Sequence, residues 1–217
     1  MKIKSGRIFS LFLLFLPFTQ VLGQVNPNLY FFHTPSQLFL VDQSINLGGE
    51  YFDHPKKSVQ LSIGYGDDNI FKQEISDTRR FCKLYLTRKY YKKTFDIAKP
   101  KSRYWAYEAF YKNANDLAEF IGPKDPETSS FDITSGTLRV NTFGLHGKFG
   151  LVYLPQGFPS VDLFLGAGLR FHYNFYQHLP DGYRGGSFGD FLFGRSAGKA
   201  FAPGIVIGLN LGVSSWK

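Results

Sequence analysis

The chain has 217 residues, with 25 Lys+Arg against 17 Asp+Glu, one Cys and 18% aromatic residues. A single cysteine, Cys82, excludes an intramolecular disulfide framework. After the N-terminal leader, no apolar run approaches the ~20 residues of a transmembrane helix.

The leader is residues 1–23. Lys2, Lys4 and Arg7 form a positive start, Ile8 to Phe18 an apolar run broken by Ser10 and Pro17, and Val21-Leu22-Gly23 a modest-sized end before Gln24. This order, with a run too short to span a bilayer, predicts a cleavable secretory signal. No Cys follows the cleavage point, so a lipoprotein is not expected. The remaining 24–217 should be one domain. Without the leader the balance is 22 basic against 17 acidic residues, a net +5 rather than +8.

The first predicted strand, Leu29 to His33 ahead of Pro35, is weak. From Ile45 the pattern is regular: Ile45, Leu47, Gly49 and Tyr51 oppose Asn46, Gly48 and Glu50. Val59, Leu61, Ile63 and Tyr65 then oppose Ser58, Gln60, Ser62 and Gly64. Cys82, Leu84 and Leu86 oppose Lys83, Tyr85 and Thr87, and Trp105, Tyr107, Ala109 and Tyr111 oppose Tyr104, Ala106, Glu108 and Phe110. From Phe143 to Tyr153 an apolar face opposes Gly144, His146, Lys148 and Gly150. From Val161 to Phe175 it opposes Asp162, Phe164, Gly166, Gly168, Arg170, His172 and Asn174. Finally Ile205, Ile207, Leu209, Leu211 and Val213 oppose Gly204, Val206, Gly208, Asn210, Gly212 and Ser214. Period two sends alternate side chains to opposite faces of a strand. A helix would scatter them.

One face is aliphatic and the other is glycine, small polar residues and a few charges. A soluble sandwich would place charge towards water. A lipocalin-like soluble barrel would have an apolar interior. The pattern instead fits a narrow barrel with its apolar face in lipid. Connections alternate in length: 53–57 and 155–160 are tight, 94–102 is middling, and 66–80, 113–135 and 176–202 are long and polar. Tyr and Phe together number 37 and crowd strand ends, as interfacial girdles do. The expected fold is all-β, a transmembrane antiparallel up-and-down β-barrel of about eight strands in the outer membrane of a Gram-negative cell.

Three segments carry a likeness to a known family. They are Ile45-Asn46-Leu47-Gly48-Gly49-Glu50-Tyr51, Val161 to Arg170, and Pro203 to Val213. In these the chain resembles the small outer-membrane barrels of Bacteroidetes-type bacteria, in particular the domain-of-unknown-function family DUF3575. The resemblance implies a barrel and no established activity. Barrel insertion signals end on an outward aromatic residue, whereas Trp216 falls in the inward register and Lys217 follows it. A bulge near Ser214-Ser215 would reconcile the two.

The inward charges are predicted to be Glu50, Lys83, Glu108, His146, Lys148, Asp162, Arg170 and His172. Charges at membrane depth are costly unless paired or wet. They should form a lumen network, for instance Glu50 or Glu108 with Arg170 or Lys148. In a barrel of about eight strands such a network fills the bore, which favours a polar plug over a small gated pore. A lipid A-modifying deacylase or acyltransferase would need a His beside a Ser with an orienting carboxylate. His172 near Ser187 or Asp181 is the candidate, but no His-x-Ser pair shares a strand face. The Gly-rich stretch 182–189 lacks phosphate-loop spacing. Asp116, Glu119, Asp125 and Glu127 are too irregular for a calcium loop. No zinc-type cluster occurs, and no cofactor is expected.

The basic cluster Arg88, Lys89, Lys92, Lys93, Lys99, Lys101 and Arg103 is of a kind that binds nucleic acid. In an exported chain it reads instead as a solvated loop touching anionic head groups. The expected role is non-enzymatic: structural, envelope-stabilising or surface-interacting. Expected partners are outer-membrane lipid and lipopolysaccharide, the barrel-assembly machinery during insertion, and a surface ligand through 113–135 and 176–202. Nucleic acid is not among them.

Overall fold

Alternation makes every one of these segments a strand, and each strand pairs with its neighbours in sequence. The computed structural model describes residues 29–35, 44–67, 80–94, 100–124, 131–155, 159–177, 184–185 and 198–214. The leader 1–23 and the C-terminal Trp216-Lys217 lie outside them. The strands are β1 (Leu29–His33), β2 (Ile45–His54), β3 (Lys57–Asp67), β4 (Arg80–Tyr91), β5 (Lys101–Lys124), β6 (Phe131–Tyr153), β7 (Ser160–Gln177), β8 (Arg184–Gly185) and β9 (Gly198–Ser214). All pairings are antiparallel. β1 to β7 pair in succession, and β9 pairs with both β7 and β1, so eight strands close into one ring. β8 is a two-residue addition against Phe120 and Ile121 of β5.

The weak first strand of the sequence is the closing piece. Tyr30 to His33 pair with Ser214 to Leu211 on one side, and Leu29 to His33 pair with Tyr51 to Leu47 on the other. The strand ends at His54 and Lys57, at Tyr91 and Lys101, and at Tyr153 and Ser160 lie at the same end as this seam, called the turn end below.

One predicted long loop is mostly strand. β5 continues to Lys124 and β6 starts at Phe131, paired as far as Ile121 opposite Ile133. Pairing of β5 with β4 reaches only Asn115, and pairing of β6 with β7 only Thr137. Beyond those points the β5–β6 hairpin stands clear of the ring except for β8. There it has backbone pairing without an apolar–polar alternation, so the period-two signal is missing while the strand persists.

The interior follows one packing rule. Four large inward rings each lie over the glycine directly opposite on the next strand. Phe32 pairs with Gly48, Phe110 with Gly144, Tyr104 with Gly150 and Phe164 with Gly208. A Cβ on any of these four glycines would drive into the opposing aromatic ring. Lys148 and His146 lie over Gly166 and Gly168 in the same way. The bare face read from the sequence is therefore the floor on which aromatic and charged side chains lie.

Candidate functional site: the lumen of the closed sheet

All eight predicted inward residues are on the inner face, and the parity that put them there also carries residues the charge pattern concealed. Glu50 comes from β2, Lys83 from β4, Glu108 from β5, His146 and Lys148 from β6, and Asp162, Arg170 and His172 from β7. Glu50, Lys83, Glu108, His146, Lys148 and Asp162 are buried; Arg170 and His172 are half-buried.

Nearest the turn end, Lys89 sits between two carboxylates. Its Nζ donates to Glu50 Oε2 and to Asp162 Oδ2, each at 2.8 Å. The three side chains are 2%, 1% and 0% exposed, so this triad is dry. The remaining oxygens are satisfied too. Tyr91 and Ser58 donate to Glu50 Oε1, Tyr104 donates to Asp162 Oδ1 at 2.7 Å, and Asn210 donates to Asp162 Oδ2 at 3.1 Å. Thr34 in turn donates to Asn210 at 2.7 Å. Buried charge is tolerable when each oxygen is both paired and hydrogen-bonded. Around the triad pack Tyr30, Phe32, Phe52, Val152, Leu154 and Phe164, which close the bore at this end.

The next layer centres on Glu108. Lys148 Nζ and Thr87 Oγ1 both donate to its Oε2, and His146 Nδ1 lies 3.2 Å from its Oε1. His146 stacks on Phe110, with centroids 4.9 Å apart, and Lys148 sits 4.4 Å above the Phe164 ring. A carboxylate-oriented imidazole is the arrangement proton-transfer sites use. Here, however, both groups are buried behind aromatic rings. A Cβ on Gly204 would meet His146 Nε2 at 2.8 Å and Arg170 Nε at 2.7 Å, so the bare backbone of β9 is what gives those two nitrogens room.

Beyond this layer the character changes. Lys83 donates to Ser44 at 3.3 Å, and Lys83 and Lys112 share the Phe81 ring, at 4.9 and 5.0 Å. Arg170 donates to the Ile205 carbonyl at 3.2 Å and lies 5.8 Å from the Phe110 centroid. His172 Nδ1 is 3.0 Å from Thr142 Oγ1. A second apolar cluster, Phe81, Ala114, Leu138 and Val140, lies beyond these groups, backed by Tyr176.

The expected pairing of Glu108 with Lys148 is present. Arg170 goes instead to a backbone carbonyl, while Glu50, Glu108 and Asp162, nearer the turn end, are held by Lys89 and Lys148. Lys89, expected in a solvated basic cluster, is among the described residues the most buried cation of the lumen. The signal for it was its register: 83, 85, 87, 89 and 91 share one face of β4. Lys112 follows Glu108 and Phe110 on the inner face by the same rule. Of that cluster, Arg88 pairs outside with Asp53 at 2.7 Å, Lys92, Lys93, Lys101 and Arg103 are exposed, and Lys99 lies outside the described residues. Asp116 and Glu119 fall within β5. Ser187, Asp181, Asp125 and Glu127, and most of 182–189, lie outside the described residues. No group of three metal-ligating side chains forms among the described residues.

Comparison with family models, with curated proteins and with solved structures gives no match to this chain.

Proposed function

We propose that the chain is an outer-membrane β-barrel of a Gram-negative cell, exported by its leader. Its role is structural, envelope-stabilising or surface-interacting, without enzymatic activity and without an open bore. One observation carries this reading: the closed sheet is inside-out. Leu61, Ile63, Leu84, Leu86, Leu145, Phe149, Leu165, Leu169, Ile205 and Ile207 are exposed on its outer face, while the inner face holds the charges described above. Apolar surface on this scale, running around every long strand, is not left to water. Lipid is the solvent that suits it, and a closed sheet satisfies each backbone group there.

The dimensions support the same reading. On β7 the exposed apolar positions run from Leu163 to Tyr173. Ten steps of about 3.3 Å at a tilt of about 40° give a band roughly 25 Å tall. At its turn-end edge, Trp105 stacks on Tyr90 at 4.2 Å and meets Tyr107 edge-on at 4.9 Å, as an interfacial girdle does. Among the described residues, the two lumen layers fill the inner face with buried, hydrogen-bonded side chains, which supports a plug rather than a pore. The likeness to the DUF3575 family belongs to the same proposal. So do contacts with lipopolysaccharide and with the assembly machinery. A surface ligand would meet the projecting β5–β6 hairpin and the connections of 176–202.

The deciding measurement is fractionation combined with gel mobility before and after boiling. Recovery in the outer-membrane fraction, with a faster-migrating unheated form, is expected. Recovery in the soluble periplasm with no heat-dependent shift would overturn the assignment. Lipid A profiles with and without the gene should be identical; an altered acyl pattern would bring back the enzymatic reading.

A further inference from the structure

The outer surface at the turn end carries a groove of about 280 Å³ lined by Lys92, Lys93, Lys101, Ser102, Arg103 and Leu151. Its frame is backbone and the Ser102 hydroxyl. Lys92 N–H donates to the Arg103 carbonyl at 2.8 Å, Lys93 N–H donates to Ser102 Oγ at 3.3 Å, and Ser102 Oγ donates to the Lys93 carbonyl at 3.2 Å. These bonds hold the end of β4 against the start of β5, so the frame does not depend on the four cationic side chains that line it. The four cations are exposed, and among the described residues none of them is in an ion pair. Their neighbour Arg88 differs, being taken by Asp53.

What lies beside the groove selects the ligand. In the β5–β6 register Arg103 is opposite Leu151 and Lys101 is opposite Tyr153, with Lys101 Nζ 5.5 Å from the Tyr153 centroid. The next outward residues along the strands are Trp105 and Phe149, at the edge of the apolar band. One strand step on the same face, about 7 Å, therefore leads from four positive charges to aromatic rings and then to aliphatic surface. A free anion would use only the first part of that sequence. An acidic amphiphile uses all of it.

Resting on the outer-membrane reading above, we infer that this groove binds the phosphodiester head group of an anionic glycerophospholipid in the leaflet at the turn end. The phosphate sits among Lys92, Lys93, Lys101 and Arg103, and the acyl chains run along Leu151 and Phe149. Aqueous access from the turn end lets the lysines stay charged, and the attraction is of the kind basic juxtamembrane segments show for anionic lipid.

The test uses the exported full chain, extracted in mild detergent and returned to phosphatidylcholine vesicles containing one fifth phosphatidylglycerol. Lipid retained through re-extraction is counted by mass spectrometry. Lys93→Gln with Arg103→Gln should lower phosphatidylglycerol retention about tenfold. Lys56→Gln with Lys57→Gln removes the same charge from the neighbouring exposed turn and should change retention less than twofold. Equal losses in the two variants, or none in either, overturn the groove. Displacement of lipid from the parent by millimolar inorganic phosphate overturns the lipid as occupant. If the first variant loses its heat-dependent gel shift, Lys92→Gln with Lys101→Gln carries the same comparison. A parent that neither floats with vesicles nor shifts on heating refutes the membrane reading itself, whereas floating, shifting variants with unchanged lipid refute only the groove.

Discussion

The two ends of the lumen handle the same problem differently. At the turn end, Lys89 is locked between Glu50 and Asp162, and every remaining carboxylate oxygen has a donor. Towards the other end, Arg170 lies over Phe110 and donates to the Ile205 carbonyl, and His172 lies beside the Thr142 hydroxyl. Burial separates the two. The triad is essentially inaccessible, while Arg170 and His172 are half-buried. Charge in a dry site needs an opposite charge and complete hydrogen bonding, whereas charge near a wet rim can rest on aromatic quadrupoles and neutral acceptors. The inner face is thus fully paired where it is dry and more loosely held where it is half-buried.

The sharpest way to break the contrast is Lys89→Met. It leaves two carboxylates facing each other without a counter-charge, and removing one partner of a buried pair costs about 3–5 kcal/mol. The urea midpoint of the folded protein in detergent should fall accordingly. Adding Glu50→Gln and Asp162→Asn should recover most of the loss, because the uncompensated charge is then gone. A loss below about 1 kcal/mol for Lys89→Met alone would show that water reaches the triad.

Much of this arrangement was legible in the sequence, and the limits have physical causes. Register along β7 and β9 placed Asp162, Arg170 and His172 on the inner face, since an apolar residue stands at every second position. Lys89 was missed because its immediate surroundings, Arg88 to Lys93, are basic on both faces of the strand end. Composition pointed to a loop while parity pointed inward, and parity is the stronger rule in a closed sheet. The β5–β6 extension was missed for the opposite reason. Clear of the apolar band there is no demand for alternation, so the strand leaves no periodic trace. The glycine positions were visible but their partners were not. Only the cross-strand register shows that Gly144 exists for Phe110 and Gly150 for Tyr104.

Phe110 joins the two ends, since His146 stacks on it and Arg170 rests over it. Gly144→Ala would push a Cβ into its ring. Overpacking of this kind costs about 1–3 kcal/mol. Phe110→Leu in the Gly144→Ala background should return part of that stability, while Phe110→Leu alone should reduce it by opening a cavity. Additive losses in the double variant would mean that the glycine and the ring are not the coupled pair described here.

At the looser end the effect should be smaller. Arg170→Gln keeps a donor for the Ile205 carbonyl and gives up only the charge over Phe110, worth about 0.5–1 kcal/mol at an accessible site. The same denaturation measurement checks it. A loss as large as that of Lys89→Met would abolish the distinction between the dry and wet ends and move Arg170 into the obligatory network.

The outer surface supplies the limiting case. Arg88 donates to Asp53 at 2.7 Å on the outer face near the turn end, with both side chains about a third exposed. That hydrogen bond, first among the causes, holds the Asp53 carboxyl below its ordinary range. A depressed carboxylate contributes stability that is complete above its unfolded-state pKa and is lost as pH falls through the folded value. Solvent and salt reduce the pair to a few tenths of a kcal/mol. Asp53→Asn should therefore lower the urea midpoint slightly at pH 7, and the difference from the parent should shrink as pH is lowered below about 4. Raising the salt to 1 M should shrink it as well, because exposed pairs are screened over about 3 Å at that strength. Lys89→Met under the same salt should keep its full cost, since no counter-ion reaches the triad. If salt moved both variants alike, the interior charges would be as wet as the exterior pair, and the contrast between the two ends of the lumen would have no physical basis.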